Sequence, residues 1–380
     1  MFLISHKTVQ AGHEHLWRTA LKDGRITDTA GYAEFMLGKV SRTFALNIQV
    51  LPLRLRHQVL LAYLFCRMAD TLEDDGELDY EGKIRLLESF RALFRSGSDA
   101  GRRLEDFRSG LPAHWAESEK WDRLLVYHCQ WIFPQLQAFP RTAVALISAC
   151  LDEMCSGMIR FTTKQSLVRD GRPLIESMQD LDDYCYYMAG TVGNLLCDLF
   201  ALHSRLIGNK RAQALKALSV SFGLGLQLTN ILKDIREDSR RNVLFIPQSL
   251  LERESLTAGA FLAPEGREGS LRVLDTLIRK AKAHLEDALA YSCLLPRLEP
   301  RLRLFCLWPL FMAAETLVLL AQNRPDFQGG TKAKITRDQV KRIVGATSAA
   351  CWSNLWVRGL FRKSMSRLDT LLAMPVGARV

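Results

Sequence analysis

Two stretches of this chain carry polar side chains at helical spacing, and each stretch ends in a pair of aspartates. The two sets are Tyr63, Arg67, Asp70, Asp74 and Gln227, Asn230, Asp234, Asp238. Steps of three and four residues place the members of each set on one face of an α-helix. The spacing therefore predicts two helices whose polar faces end in a DxxxD motif.

Strongly apolar residues precede both DxxxD motifs. An acidic cluster on a helix is more often a solvated face, and a single DxxxD motif often arises by chance. Carboxylates at the end of a buried helix, however, cost free energy unless they bind a cation or pair with a base. Mg²⁺ prefers one or two carboxylates together with waters and a substrate phosphate. Because the motif occurs twice, with polar residues in register before it, we expect a site that holds a diphosphate between two Mg²⁺-loaded helices.

The composition indicates a large core and an anionic partner. The chain has 380 residues, 48% of them hydrophobic, and a formal charge of +10. A basic surface attracts nucleic acid, anionic lipid or phosphorylated substrates. The sequence contains no RNA- or DNA-binding motif, so we expect the last two classes of partner and no nucleic acid.

The cysteines, histidines and N-terminus indicate a cytoplasmic protein without zinc. Nine cysteines, none in a CxxC pair, lie mostly in apolar helical contexts, which is typical of reduced core thiols. The eight histidines form no HxxxH or HExxH set. The N-terminus lacks the pattern of a signal peptide. The most apolar stretch, Leu304 to Ala321, contains Pro309 and Glu315, which favours a buried helix over a membrane span.

Helical patterns dominate the chain, and alternating strand patterns are nearly absent. We predict an all-α protein that forms a single domain over residues 1–380. Predicted helices cover residues 30–48, 53–75, 83–94, 120–135, 141–162, 176–206, 210–238, 270–294, 300–322 and 336–373. Gly, Ser and charged residues predict a loop region with fragments of helix at 96–119, and Gly and Pro content predicts loops at 257–269 and 323–333.

Four segments together resemble the squalene and phytoene synthase family. They are SRTFALNI at 41–48, YLFCRMADTLEDD at 63–75, YCYYMAGTVGNLL at 184–196 and QLTNILKDIREDSRRNVLFIPQ at 227–248. They occur in the order that the family has. The resemblance implies an isoprenoid synthase helical bundle around a central active-site cavity. It also implies head-to-head joining of two prenyl diphosphates, for which an apolar pocket must keep water from a carbocation.

The resemblance assigns roles residue by residue. The metal ligands, which take part in catalysis, are Asp70, Asp74, Asp234 and Asp238; Glu73, Asp75 and Glu237 are supporting acids or solvated neighbours. Contacts to the substrate diphosphate fall on Ser41, Arg42, Phe44, Tyr63, Arg67, Gln227 and Asn230. Tyr184, rather than Tyr187, matches the tyrosine near the proton that is lost, although a bonded core tyrosine is the commoner fate of a buried Tyr. The small residues around Gly190 and Gly193 fit either a close substrate chain or close helix packing.

Within the family, three features favour the squalene synthase branch, which joins two farnesyl diphosphates through presqualene diphosphate and reduces the product with NADPH. They are the DTLED motif, FCLWP at 305–309 and TKAKITRDQ at 331–339. The resemblance makes Lys332, Lys334 and Arg337, with Lys233, candidates for binding NADPH; an ordinary basic loop is the alternative.

Other segments do not favour that branch. AGTVG and SRRNVLFIPQ look equally like phytoene synthase, and DIRED departs from the eukaryotic squalene enzyme. The alternative is a phytoene-type, dehydrosqualene-type or presqualene diphosphate synthase without a reductive step. Both intact DxxxD motifs argue against a non-catalytic relative.

The C-terminal region, 350–374, has apolar residues at helical spacing with basic residues between them. The apolar positions are Trp352, Trp356, Leu360, Met365, Leu368 and Leu372. The pattern fits an amphipathic helix on an anionic membrane and equally a last helix packed on the bundle. We expect a monomeric protein in peripheral contact with the membrane.

Overall fold

The described residues of this computed structural model form helices and turns without a β-strand, as the all-α prediction requires. The structure describes residues 6–41, 43–95, 97, 99–167, 174–241, 243–324, 327 and 333–374. These residues divide into two compact units. The first comprises residues 1–49 and 56–155, and the second comprises 50–55 and 156–380.

The first unit contains most of the helices of the N-terminal part. They are α1 (His6–Lys22), α2 (Thr29–Val40), α3 (Thr43–Gln49), α4 (Leu53–Asp74), α5 (Tyr80–Ala92), α6 (Ala100–Ser109), α7 (Trp121–Tyr127) and the first part of α8 (Arg141–Leu167). Short 3₁₀ helices lie at Ala113–Glu117, Cys129–Trp131 and Phe133–Ala138. Phe65 of α4 is fully buried in edge-to-face contact with Phe94 and Phe133. Burial of this apolar face fixes the opposite, polar face of α4.

The second unit contains the longest helix, which carries the second DxxxD motif. Its helices are the rest of α8, α9 (Met178–Cys185), α10 (Thr191–His203), α11 (Asn209–Arg240), α12 (Gln248–Arg253), α13 (Ala258–Leu262), α14 (Arg267–Leu294), α15 (Pro300–Asn323), α16 (Arg337–Ala350) and α17 (Asn354–Ala373). A 3₁₀ turn lies at Pro264–Gly266 and a π-helical turn at Tyr186–Gly190, between α9 and α10. α11 packs against α10, α14 and α15, which makes it the central helix of this unit.

Small residues let α10 and α11 approach each other closely. A methyl group on Gly193 would lie 2.1 Å from the Ser219 carbonyl oxygen of α11. One on Gly223 would lie 2.3 Å from the carbonyl oxygen of Ala189. Of the two explanations for the small residues near 190, helix packing therefore accounts for Gly193.

Four helical stretches of the described chain are long and apolar enough, by length and composition, to cross a membrane. They are Arg141–Leu167, Met178–His203, Asn209–Arg240 and Pro300–Asn323. In the last of these, 78% of the apolar window is buried in the protein. The stretch around Pro309 is therefore packed as a core helix, as we predicted.

Several predicted boundaries were wrong. The predicted helix 30–48 is interrupted between α2 and α3, and the predicted helix 336–373 is interrupted between α16 and α17. The predicted loop 257–269 contains α13, and α1 has no counterpart in the prediction. The helix fragments expected within 96–119 are α6 and the 3₁₀ helix at Ala113–Glu117. In both interrupted stretches the helical apolar pattern continues through the break, so it gives no local sign of a chain turn.

Candidate active site

The polar face of α4 meets a side chain that the sequence pattern did not indicate. The Nε of Arg67 donates to Oδ1 of Asp122, the second residue of α7, at 2.8 Å, while Asp70 lies 4.0 Å from the guanidinium. Burial works to lower the pKa of Arg67, but the bond to Asp122 and the negative charges of Asp122 and Asp70 together keep that pKa above its usual value. Asp122 thus orients Arg67, and the contact between Arg67 and Asp70 is the weaker of the two.

The carboxyl group of Asp70 lies in a desolvated position, where ionisation costs free energy. Desolvation raises its pKa to about 7; Arg67 opposes that rise, and the charges of Asp74 and Asp122 add to it. Asp74 is the last residue of α4 and is exposed. The two carboxylates therefore lie one turn apart at the end of an apolar helix, where a cation would relieve their repulsion.

Asp75 does not belong to this open acidic end. Its two carboxylate oxygens accept from Nε and an Nη of Arg123 at 2.6 and 2.8 Å, and both side chains are buried. One of these oxygens also accepts from the backbone N–H of Glu77 at 2.9 Å. Burial alone would raise the pKa of Asp75, but these bonds lower it. Asp75 therefore closes the end of α4, and Arg123 is occupied by it and by Glu77 at 2.7 Å.

Three of the predicted substrate-binding residues of the first unit lie together beside this face. The Oγ of Ser41 accepts from the Phe44 N–H at 3.0 Å. The Phe44 ring packs on the Tyr63 ring with a centroid distance of 5.6 Å. Burial raises the pKa of Tyr63 to about 12, and its hydrogen bond with Ser41 opposes that rise. Arg42, the remaining predicted residue of the 41–48 segment, lies outside the described residues.

The second polar face runs along the last turns of α11. Lys233 bridges two of its members, with Nζ 3.1 Å from Oδ1 of Asn230 and 3.1 Å from Oδ2 of Asp234. Gln227 is partly exposed, and Asn230 is exposed. The predicted cofactor residue Lys233 thus lies within the DxxxD face itself.

Asp238 occupies a more protected place than Asp234. It is buried, and its Oδ1 accepts from an Nη of Arg241 at 2.7 Å. Arg241 caps the C-terminus of α11, where its backbone N–H bonds the Asp238 carbonyl oxygen at 2.9 Å. Arg241, in the basic turn that follows the motif, therefore holds the Asp238 carboxylate and ends the helix.

Tyr184 is buried among aromatic rings in the second unit. Its ring stacks on Phe245 at 4.5 Å and meets Phe161 edge-on at 5.1 Å. The π-helical turn follows directly, and such turns frequently mark functional sites in helices. Tyr187 lies inside that turn, where its ring fills the space beside Gly157 of α8. The two tyrosines therefore occupy different environments, and only Tyr184 stacks between these rings.

The remaining cofactor candidates lie before α16. Lys334 and Arg337 are exposed, and Arg337 is the first residue of a helix capped by a Thr336 and Gln339 capping box. Lys332 lies outside the described residues. The geometry shows two solvated cations at this position.

Within the described part of the chain, no three His, Cys, Asp or Glu side chains are grouped to hold a metal ion. Each DxxxD motif offers two carboxylates one turn apart, which matches the demand of Mg²⁺ for few carboxylates and for oxygen ligands from water and substrate. The donor set therefore fits Mg²⁺ at each motif.

Comparison with known proteins decides the family. The sequence model of the family described as squalene/phytoene synthase matches residues 37–339. The chain belongs to the squalene/phytoene synthase family. The match contains every predicted site residue, so the resemblance seen in four segments extends through most of the chain.

Several similar proteins are named squalene synthases. The enzyme of Solanum lycopersicum is 31% identical over 307 residues, which are 80% of this chain and 67% of that protein. The Schizosaccharomyces pombe enzyme is 32% identical over 81% of this chain and 63% of its own length. The human enzyme is 31% identical over 78% and 65%. This chain thus spans about two thirds of the length of these relatives.

Solved structures confirm the predicted helical fold. TcSQS in complex with the ligand BPH1237 matches with a TM-score of 0.75 and 25% identity, over 92% of this chain and 94% of that one. A dehydrosqualene synthase in complex with a ligand matches with a TM-score of 0.57 and 21% identity, over 88% and 97%. The second likeness concerns the fold alone.

Proposed function

We propose that this chain is a squalene synthase that condenses two farnesyl diphosphates head to head, through presqualene diphosphate, to squalene. The observation that carries the proposal is the pair of DxxxD motifs, each near the end of a helix with polar side chains at the same helical spacing before it. The named relatives support the same reaction.

Asp70 and Asp74 on α4, and Asp234 and Asp238 on α11, would hold Mg²⁺. When bound, Mg²⁺ neutralises a diphosphate and stabilises it as a leaving group. Asp122 holds Arg67 on the α4 face, where the Arg67 guanidinium can bind phosphate oxygens as a bidentate ligand. Ser41, Arg42, Phe44, Tyr63, Gln227 and Asn230 complete the proposed contacts to substrate.

Tyr184 is proposed to act beside the reacting carbons. Phe161 and Phe245 surround its ring with apolar surface, which excludes water from that position. An uncharged phenol in such a place can stand next to a carbocation and pass a proton to the departing pyrophosphate. The apolar packing thus supports its choice over Tyr187.

The proposed reductive step requires basic residues that bind NADPH. Lys332, Lys334 and Arg337, with Lys233, are proposed to bind the phosphates of NADPH, which supplies a hydride when bound. Lys334 and Arg337 are exposed and can reach a phosphate. The alternative is a synthase that stops at presqualene diphosphate, or forms a phytoene-type or dehydrosqualene-type product, without a reductant.

We further propose that the protein is a cytoplasmic monomer in peripheral contact with a membrane. The chemistry of the substrate tails and of the product, which are lipids, motivates this contact. The described helices that are apolar enough for a membrane are compatible with it.

Incubation of the purified protein with farnesyl diphosphate and Mg²⁺, with and without NADPH, tests the proposed reaction by identification of the lipid products. Squalene that forms only with NADPH is the expected result. A product that is the same with and without NADPH supports the alternative branch. Failure to consume farnesyl diphosphate under either condition contradicts the proposal.

A further inference from the structure

Three helix-to-helix turns of the second unit gather at one end of it. They are residues 202–211 between α10 and α11, 294–301 between α14 and α15, and 351–358 between α16 and α17; together we call them the turn surface. Ser204 donates to the Glu299 carboxylate at 2.8 Å, which joins the first turn to the second. Asn354 donates to the Cys293 carbonyl oxygen at 3.0 Å, which joins the third turn to α14.

A buried arginine locks the second and third turns together. Arg303 is fully buried, and it donates to the Leu295 carbonyl oxygen at 2.8 Å and to Oδ1 of Asn354 at 2.7 Å. A pocket of about 540 Å³ lies between the first turn and Leu294 of the second. Hydrogen bonds therefore hold the three turns next to one another.

The turn surface concentrates exposed apolar side chains. Of the twelve large apolar residues that are exposed in the described chain, six lie here: Leu202, Leu206, Leu298, Trp352, Leu355 and Trp356. Leu298 and Leu355 are each 78% exposed, and Trp356 is 63% exposed. Large apolar side chains grouped in this way mark an interaction surface rather than ordinary surface composition.

The charges on the turn surface have a single sign. Its exposed charged residues are Arg205, Lys210, Arg211, Arg297, Arg301 and Arg358. All residues of the three turns are described, and the only acidic one, Glu299, is partly buried against Ser204. An apolar surface with only positive exposed charges is complementary to a negatively charged partner surface.

We propose that the turn surface docks this protein on an anionic phospholipid bilayer. Trp rings sit at the headgroup level of bilayers, with leucines reaching toward the acyl chains, and arginines bind the phosphates around them. The inference rests on the membrane contact proposed above and assigns it to named residues.

Of the two alternatives for the C-terminal apolar stripe, the structure supports a packed last helix for its later residues. Met365, Leu368 and Leu372 are buried in the packing of α17, so they cannot face a membrane. Trp352 and Trp356 are exposed, and Leu355, which is not part of that stripe, joins them. Only the first turn of α17, with the two other turns, contributes to docking.

The turn surface is remote from the second DxxxD motif. Asn209 and Asp234 lie 25 residues apart on α11, which at 1.5 Å per residue is about 38 Å along the helix axis. Substitutions in the turns should therefore leave the chemistry at this motif intact.

Co-sedimentation with vesicles of phosphatidylcholine, with and without phosphatidylglycerol, tests the proposal. We expect binding to the anionic vesicles that weakens with salt, and a blue-shifted tryptophan emission that is quenched by brominated lipid. The variant Trp352→Ser/Leu355→Ser/Trp356→Ser should lose at least about tenfold in partitioning. Its control, Leu53→Ser/Leu167→Ser, removes exposed leucines elsewhere and should bind as the wild type does.

A second pair of variants tests the charges. Arg297→Glu/Arg358→Glu should lower binding to anionic vesicles by more than about tenfold at low salt, because each cation near such a surface contributes about a factor of five. Arg253→Glu/Arg342→Glu makes the same charge change at exposed positions outside the turns and should have a much smaller effect.

Three results would overturn the proposal: wild-type affinity in the triple variant, equal binding to neutral and anionic vesicles, or a dimer in light scattering that the triple variant abolishes without any vesicle binding. Turnover of farnesyl diphosphate in detergent, measured on the same samples, keeps the two proposals apart. Loss of vesicle binding with normal turnover supports docking, whereas absent turnover in a vesicle-bound wild type contradicts only the proposed reaction.

Discussion

At the scale of single residues, the structure separates acids that the sequence makes look alike. Asp74 and Asp75 are neighbours in the chain, yet Asp74 is exposed at the end of α4 while Asp75 is buried on Arg123. Nothing in the DTLEDD run distinguishes them, because the difference comes from an arginine on another helix. The same limit explains why Asp122, the partner of Arg67, could not be predicted from sequence.

The buried pair leads to a prediction on stability. Arg123→Met should lower the free energy of unfolding by about 3 kcal/mol, because it leaves the Asp75 carboxylate buried without its partner. Urea unfolding followed by circular dichroism measures this. Arg102→Met removes an exposed arginine that lies 3.7 Å from Asp106 and should cost less than about 1 kcal/mol. Equal losses in the two variants would contradict the role given to Asp75.

A buried histidine predicts how stability depends on pH. Burial lowers the pKa of His128 from 6.5 to about 4, against the effect of a hydrogen bond with the Ala116 backbone. Below about pH 6.5 this histidine becomes protonated in the unfolded chain, whereas in the folded chain it stays neutral down to about pH 4. The free energy of unfolding therefore falls as the pH is lowered from about 6.5 to about 4. His128 contributes at most about 1.4 kcal/mol per pH unit to the dependence of the free energy of unfolding on pH.

The check is urea unfolding between pH 7 and pH 4. In His128→Leu the free energy of unfolding should change less with pH, by up to about 1.4 kcal/mol per pH unit. The exposed control His15→Leu should show the same pH dependence as the wild type. An unchanged slope in His128→Leu would show that the histidine is not held neutral by burial.

At the scale of helices, the sequence predicts the features that depend on the spacing of apolar and polar residues along one helix. The apolar face of α4 and the three-and-four spacing of both DxxxD faces are visible in the chain, and α4 and α11 lie within two residues of their predicted bounds. The breaks between α2 and α3 and between α16 and α17 are not visible, nor is the π-helical turn at Tyr186–Gly190. Each break carries a serine that accepts from the backbone N–H three residues on, Ser41 and Ser353, which the apolar spacing does not reveal. The π-helical turn packs against α11, a contact that a single sequence does not display.

The contact of α10 with α11 gives a test in which helix propensity and packing oppose each other. Alanine favours a helix over glycine by about 1 kcal/mol. Gly193→Ala should nevertheless destabilise the protein by about 1–3 kcal/mol, because the new methyl group meets the Ser219 carbonyl oxygen.

The matched control for this prediction is Gly345→Ala in α16, where nothing lies within 4 Å of the new methyl group. It should stabilise the protein by about 0.5–1 kcal/mol. Thermal unfolding of both variants decides the matter, and a stabilised Gly193→Ala would mean that the two helices are further apart than described.

At the scale of the whole molecule, the predicted family and all-α fold are confirmed, while the single domain over residues 1–380 stays a prediction. One boundary between the two compact units falls inside the continuous helix α8, between Cys155 and Ser156. A helix that continues across a boundary couples the units on either side. We therefore expect calorimetry to show one cooperative unfolding transition; two separable transitions would contradict the single domain.

The central claim is that both DxxxD motifs bind the substrate diphosphate through Mg²⁺. The most direct measurement is calorimetric binding of a farnesyl thiodiphosphate, which cannot ionise readily, to the wild type, Asp70→Asn and Asp234→Asn, with and without Mg²⁺. We predict tight binding by the wild type only with Mg²⁺, and a loss of at least about tenfold in each variant whose circular dichroism remains native. Mg²⁺-independent binding, or wild-type affinity in either folded variant, would contradict the claim.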